Sequence, residues 1–232
     1  MPYIELHARS AFSFLEGASL PESLVATGAE RGLAAMALLD RHGVYGAPRF
    51  HMAAKQREIK AHVGAEICIA EGGNYPLLVA TRTGYQNLCR LITTTKLRVP
   101  KKSMATAALA ELQGHAEGLI CLTGDEHGPL AHALDHGGTS AARALLQQIV
   151  SIFKNENRDC EHVYVELQRH GDRFQEARNQ AAISLARELH LPLLATNGVC
   201  YATPAEREIA DVFTCIKNKR RLDTAGCLLS RN

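Results

Sequence analysis

Seven short apolar or β-branched segments punctuate the chain: Tyr3–Leu6, Met36–Leu39, Val63–Ile69, Leu77–Ala80, Leu119–Leu122, Val163–Leu167 and Leu191–Ala195. Helix-patterned stretches fall between most of them. The first predicted helix starts at Ser19, with Glu22 at capping-box spacing and Gly32 as its stop. Further helices are predicted over Ala47–Ile59, Tyr85–Leu97, Thr139–Phe153 and Arg173–His190, and Thr203-Pro204-Ala205-Glu206 opens another with cap, first-turn proline and box glutamate. Strands alternating with helices predict a parallel sheet. About seven such units in one domain spanning residues 1–232 favour a closed α/β barrel over an open doubly wound sheet. No GxGxxG follows the first strand, which argues against a dinucleotide site.

At 46% hydrophobic residues the chain can bury one large core, and its formal charge of only +2 provides no global field to steer it toward nucleic acid. Contact with nucleic acid must then be local. The seven cysteines, at 68, 89, 121, 160, 200, 215 and 227, form no CxxC pair and lie mostly in apolar stretches, the usage of a reducing compartment. With no basic n-region, no apolar h-region and no membrane-length apolar run, the expectation is a cytoplasmic protein without membrane contact.

Polar residues mark the strand ends. His7, Asp40, Glu66, Asp125, Glu166 and Asn197 all sit at or just past one. In a β/α barrel these ends converge on the rim where sites are built. Any single one is better read as punctuation, but six together favour a rim cluster, functional or structural.

The phrases Glu5-Leu6-His7-Ala8-Arg9-Ser10-Ala11-Phe12-Ser13-Phe14-Leu15-Glu16-Gly17-Ala18, Leu39-Asp40-Arg41-His42-Gly43-Val44-Tyr45-Gly46 and Gly64-Ala65-Glu66 resemble the PHP (polymerase and histidinol phosphatase) domain. More narrowly, they resemble the N-terminal PHP domain of bacterial C-family DNA polymerases of the polymerase III alpha type. Val165-Glu166-Leu167-Gln168-Arg169-His170 and Ala195-Thr196-Asn197-Gly198-Val199-Cys200-Tyr201 follow in the family's order, and the Tyr-Gly-Ala-Pro-Arg-Phe wording after Asp40 is most similar to the error-prone, damage-associated paralogue. The resemblance implies a distorted (β/α)7 TIM-like barrel, the PHP fold. It also implies a rim site for up to three divalent metals that activate water for phosphoester hydrolysis, chemistry that needs imidazoles and carboxylates with one position left open.

Against that pattern, the ligand set departs residue by residue. The opening His-x-His survives only as His7, with Arg9 in the second place. Glu16 and Glu66 keep acidic groups, while the Asp-His pair has become Asp40-Arg41. Pro76 stands for a ligand histidine, Asp125 for a cysteine or histidine, and the closing Asp-x-His reads Gly198-Val199-Cys200. Arginine stays protonated and has no lone pair for a metal. The expectation is therefore a vestigial site (His7, Glu16, Glu66, Asp125, Cys200) that holds no metal and carries no catalytic residue. In it, Arg9 and Arg41 would give Glu16, Glu66 and Asp40 the positive charge that metal ions once supplied.

Other residues admit two readings. His42 could restore a ligand only by a one-residue shift that Gly43 and Tyr45-Gly46 oppose. His170 reads as a hydrogen-bonded structural histidine, Cys200 as a buried inert thiol, and His127, His132 and His136 as surface residues, since no CxxC or HExxH accompanies them. The Arg98–Met104 connection reads as a solvated basic loop. Lys217-Asn218-Lys219-Arg220-Arg221 is the densest basic run. Its Lys217, Lys219, Arg220 and Arg221 fit phosphate contact and a solvated helix end about equally well.

The resemblance thus implies the PHP part of an error-prone DNA polymerase, structural in role and without a cofactor. Its partners would be the remainder of the polymerase chain, which would continue past Asn232, DNA through that chain, and other subunits of the polymerase complex. The alternative is an active phosphoesterase or 3'-5' exonuclease using manganese, zinc or magnesium. A free-standing histidinol-phosphatase-like enzyme meets the same ligand losses and matches the motifs less well.

Overall fold

A computed structural model describes residues 3–100, 103–154 and 162–229. Lys101 and Lys102 of the basic connection, Cys160 and the side chain of Cys227 lie outside the described residues. The strands are β1 (Glu5–Ala8), β2 (Ala35–Arg41), β3 (Lys60–Cys68), β4 (Asn74–Val79), β5 (Leu119–Leu122), β6 (Val163–Leu167) and β7 (Leu193–Ala195). The helices are α1 (Pro21–Glu30), α2 (Ala47–Gln56), α3 (Arg82–Leu97), α4 (Leu109–Gln113), α5 (Pro129–Phe153), α6 (Arg173–Glu188) and α7 (Arg207–Asn218). Hydrogen-bonded strand order follows chain order from β1 to β7. The residues group into two compact units, Met1–Val63 with Asn197–Asn232, and Gly64–Thr196.

In the first unit β1 and β2 pair in parallel, with Glu5 opposite Met36 and Ala8 opposite Leu38. Leu24 and Val25 of α1, Met36 and Leu38 of β2, Phe50 and Ala54 of α2, and Ile59 form one buried cluster. Each large side chain among them contributes about 1.5–3 kcal/mol by leaving water. The expected cap at Ser19 is not formed. Helix α1 starts two residues later behind Leu20 without a side-chain cap, because the Ser19 hydroxyl is taken by the backbone N–H of Ala202, 2.7 Å away.

Helices α2 and α6 end before the predicted Ile59 and His190 for one shared reason. Glu58 (φ 57°) and His190 (φ 53°) turn left-handed, and the next residues, Ile59 and Leu191, donate back to Ala54 O (3.0 Å) and Ala186 O (2.8 Å). In this Schellman closure an apolar residue past the helix end packs back on it, which extends the apolar pattern beyond the true stop.

In the second unit the expectation of a parallel sheet is corrected. Strand β4 is antiparallel to both β3 and β5, whereas β5–β6 and β6–β7 are parallel. The β3–β4 connection is too short for a crossover. It reverses through Gly72 (φ 130°) and Gly73 (φ 83°), with Ile69 N–H donating to Gly73 O at 3.1 Å. Tyr75, Leu77, Leu88, Leu91, Leu119, Leu122 and Val165 fill this unit's interior. Helix α5 starts at Pro129, ten residues before the predicted Thr139, and bends at Gly138, whose φ of 65° and ψ of −164° are not helical.

Candidate functional site

The candidate residues divide between the units. In the first, β1 carries His7, fully buried. Its backbone N–H donates to Glu5 Oε1 (2.7 Å), and the same carboxylate accepts from Tyr3 OH (2.6 Å) and from Asn197 N–H (2.9 Å). Glu5 thus ties the strand to the segment that follows β7. Arg9 Nη2 lies 3.4 Å from His7 Nε2. A guanidinium only donates, so that imidazole nitrogen is the acceptor in this contact and turns its lone pair toward a cation.

Asp40, near the end of β2, is buried among donors supplied by the loop after β1. Ser10 N–H (2.7 Å), Ser10 Oγ (3.0 and 2.9 Å) and Ser13 Oγ (2.7 Å) all donate to it. Ser13 Oγ in turn accepts from Arg41 N–H at 3.0 Å. Gly46 is required here, since a Cβ on it would stand 2.7 Å from Asp40 Oδ2.

Glu16 is the electrostatic centre of this unit. Arg41 Nη1 approaches its Oε1 at 2.7 Å, with side chains only 19% and 13% exposed. Lys217 Nζ meets the same oxygen at 2.6 Å. One carboxylate oxygen thus serves two cations. The Arg41–Glu16 pairing was anticipated, but the contacts seen at Asp40 come from serines that sequence reasoning missed. Local spacing carried no signal for Lys217, which comes from the far end of the chain.

Helix α7 ends with Lys219 in the left-handed region (φ 52°), and Arg220 N–H donates to Cys215 O at 2.9 Å. Lys219, Arg220 and Arg221 are exposed, with Arg221 3.2 Å from Asp223. Cys200 is half-buried rather than buried as expected. It follows Gly198 (φ 60°), between the half-buried Val199 and Tyr201, and its carbonyl accepts from Ala18 N–H at 2.7 Å while that of Val199 accepts from Arg9 N–H at 2.8 Å.

In the second unit Glu66 is buried in β3, directly opposite Pro76 of β4. Pairing of β4 with β5 begins at Leu77, one residue beyond, so the proline interrupts no ladder on that side. Asp125 sits in the tight turn after β5. Its Oδ1 accepts from His127 N–H (2.8 Å), and a Cβ on Gly124 would be 2.8 Å from Gly128 Cα.

Glu166 of β6 is buried, with Gln168 Nε2 at 2.8 Å and the Thr196 hydroxyl as donors to Oε1, while its N–H donates to Thr123 Oγ1 at 2.9 Å. Burial first, and the Glu166 charge second, push the Cys121 thiol far above its ordinary value. Asp125, Glu166, Gln168 and Arg178 line an open cleft of about 390 Å³. Arg178 stands 3.5 Å from Asp135 and 3.8 Å from Glu126.

His170 has the expected structural role, its Nδ1 3.1 Å from Gln175 Nε2. His127 and His136 are exposed and His132 is half-buried. The rings of His132 and His136 stack at 4.2 Å, and among the described residues none of the three joins a metal-ligating trio.

A family model described as the PHP domain matches residues 5–170. The chain is 36% identical over 237 residues to an error-prone DNA polymerase of Mycolicibacterium paratuberculosis, covering 97% of this chain and 21% of that protein. An error-prone DNA polymerase of Symbiobacterium thermophilum is 32% identical over 96% of this chain and 21% of its own length. The chain thus spans about a fifth of the curated relatives it matches. Among solved structures, an amidohydrolase from Chromobacterium violaceum, with sulfate bound and no metal, superposes with a TM-score of 0.58 at 15% identity, covering 88% of this chain and 89% of that one.

Proposed function

Because the chain belongs to the PHP domain family, whose fold is a distorted TIM-like α/β barrel, we propose that it is the PHP portion of an error-prone DNA polymerase acting in damage tolerance. In this reading its old metal site has become an ion-pair network that serves as scaffold. The observation that carries it is Glu16, whose carboxylate oxygen is shared by Arg41 and Lys217 at 2.7 and 2.6 Å. The His7–Arg9 contact supports it as well.

A divalent cation fits this donor set poorly. It would have to displace a guanidinium and an ammonium from Glu16 and lie beside the Arg9 guanidinium, which keeps its proton at any working pH. The chain therefore supplies no catalytic residue, and nucleotidyl transfer belongs to the remainder of the polymerase. That remainder, its DNA and other subunits of the complex are the partners, in the cytoplasm. Lys217, Lys219, Arg220 and Arg221 contact DNA phosphates, and their clustering at one exposed helix end supports that role.

A second reading keeps a metal, because the first unit retains the imidazole of His7 and the carboxylate of Glu16, and the second unit retains the carboxylates of Glu66 and Asp125. It would make the chain a manganese-, zinc- or magnesium-dependent phosphoesterase or exonuclease. Metal content of the chain purified without chelator, with chromogenic phosphodiester hydrolysis in manganese, separates the two. The expected result is substoichiometric metal and no manganese-dependent turnover; one equivalent of metal with turnover establishes the second reading.

A further inference from the structure

We propose that the loop following β1 and the end of α7 form one surface that binds single-stranded nucleic acid. Phe14 stacks on a base, and Lys217, Lys219 and Arg220 follow the phosphates. The inference rests on reading the α7 cations as phosphate contacts, and it adds the form of nucleic acid they take.

Phe14 is 83% exposed, the most exposed large apolar side chain described. Its loop is nevertheless fastened throughout. Ser13 N–H donates to Ser10 O (2.8 Å), Glu16 and Gly17 N–H to Ser13 O (2.9 Å each), and Ala11 N–H to Ser19 O (2.8 Å). The Ser13 hydroxyl is anchored on Asp40. Leu15, beside Phe14, holds a left-handed φ of 60°, a strained conformation for a non-glycine residue. A rigid loop that withholds an aromatic ring from the core presents it ready for a ligand, with little ordering left to lose on binding.

The charge lies at the helix end that is bound to the same loop. Glu16, two residues from Phe14 and so within about 7.6 Å of it between Cα atoms, is itself bound to Lys217. Arg41 meets the same carboxylate, and Lys219 and Arg220 add positive charge at the helix end with no carboxylate in ion-pair range among the described residues. A second exposed aromatic, Tyr45 (58%), follows Arg41 by four residues. An exposed aromatic ring on a loop tied to a cationic helix end suits single strands, whose bases expose their faces, and not duplexes, whose base faces are already stacked.

The test is fluorescence anisotropy of the full chain with a labelled oligothymidine and with a duplex of equal length, across a salt series. The expected result is preference for the single strand, loss of that affinity by about tenfold in Phe14→Ala, and retention in Phe14→Trp. In Lys219→Glu/Arg220→Glu the slope of log affinity against log salt falls by about 1.4. Single-strand binding by Phe14→Ala equal to wild type, or equal binding of the two forms, overturns the proposal while leaving the phosphate reading to stand on the charge reversals. If the charge reversals also change nothing, the phosphate reading falls with it. An unchanged melting temperature for Phe14→Ala confirms that the fold is intact.

Discussion

Replacing Glu16 by Gln removes the charge on which Arg41 and Lys217 converge while keeping an acceptor oxygen of the same reach. The Arg41 contact is short and mostly shielded, with side chains 19% and 13% exposed. A hydrogen bond to a charged group of this kind contributes about 1.5–3 kcal/mol, roughly half of which survives when the partner becomes neutral. Lys217 is 45% exposed, so its share is below about 1 kcal/mol and is screened by salt. The expected loss is therefore about 1–2 kcal/mol, read as a lower urea midpoint with an unchanged m-value.

A double-mutant cycle with Arg41→Gln isolates the pair from the other contacts of Arg41 and should return coupling of about 1 kcal/mol. That coupling should persist at high salt, whereas a Lys217→Gln cycle should fade. Manganese should not stabilise the wild type, because a ligand stabilises only the state that binds it. If Glu16→Gln leaves stability unchanged, the ion-pair account is wrong, and if manganese raises wild-type stability and Glu16→Gln abolishes the rise, the carboxylate is a metal ligand instead.

Three further outcomes follow from the same geometry. Ser10→Ala strips a hydroxyl donor from buried Asp40 and should cost about 1–3 kcal/mol by urea unfolding; a neutral substitution would show that water replaces it freely. Burial first, and the Lys60 charge second, lower the pKa of His62. Its contribution to stability should be complete above the unfolded value near 6.5 and lost as pH falls through the folded value, and an NMR titration midpoint above 6.5 would contradict this. Arg9→His with Arg41→His should restore partial zinc or manganese binding by calorimetry, and a complete lack of binding would mean that the ligand register is wrong or that the losses at Pro76, Gly198 and Cys200 dominate.

Much of the fold was legible because strands and helices differ in the period of their apolar residues, and all seven predicted segments overlap observed strands. Period carries no direction, however. The reversal of β4 was written only in Gly72-Gly73, a hairpin signal overshadowed by the surrounding βα rhythm. Local capping rules failed at Ser19 because a distant backbone N–H, that of Ala202, competes for the same hydroxyl.

The site divides similarly. Arginine in place of histidine at positions 9 and 41 pointed to ion pairing through residue chemistry alone, and Arg41 meets Glu16 as that chemistry requires. Lys217 could not be paired with Glu16 from sequence, since only the folded chain joins them. Nor did composition separate Phe14, exposed, from Phe50, fully buried.

The central claim is that fixed cations now occupy the electrostatic role of divalent ions around His7 and Glu16. Anomalous scattering from crystals of the full chain soaked in manganese measures this directly. No peak within coordination distance of His7 Nε2 or Glu16 Oε1 is predicted, and a fully occupied manganese on either atom would contradict the account.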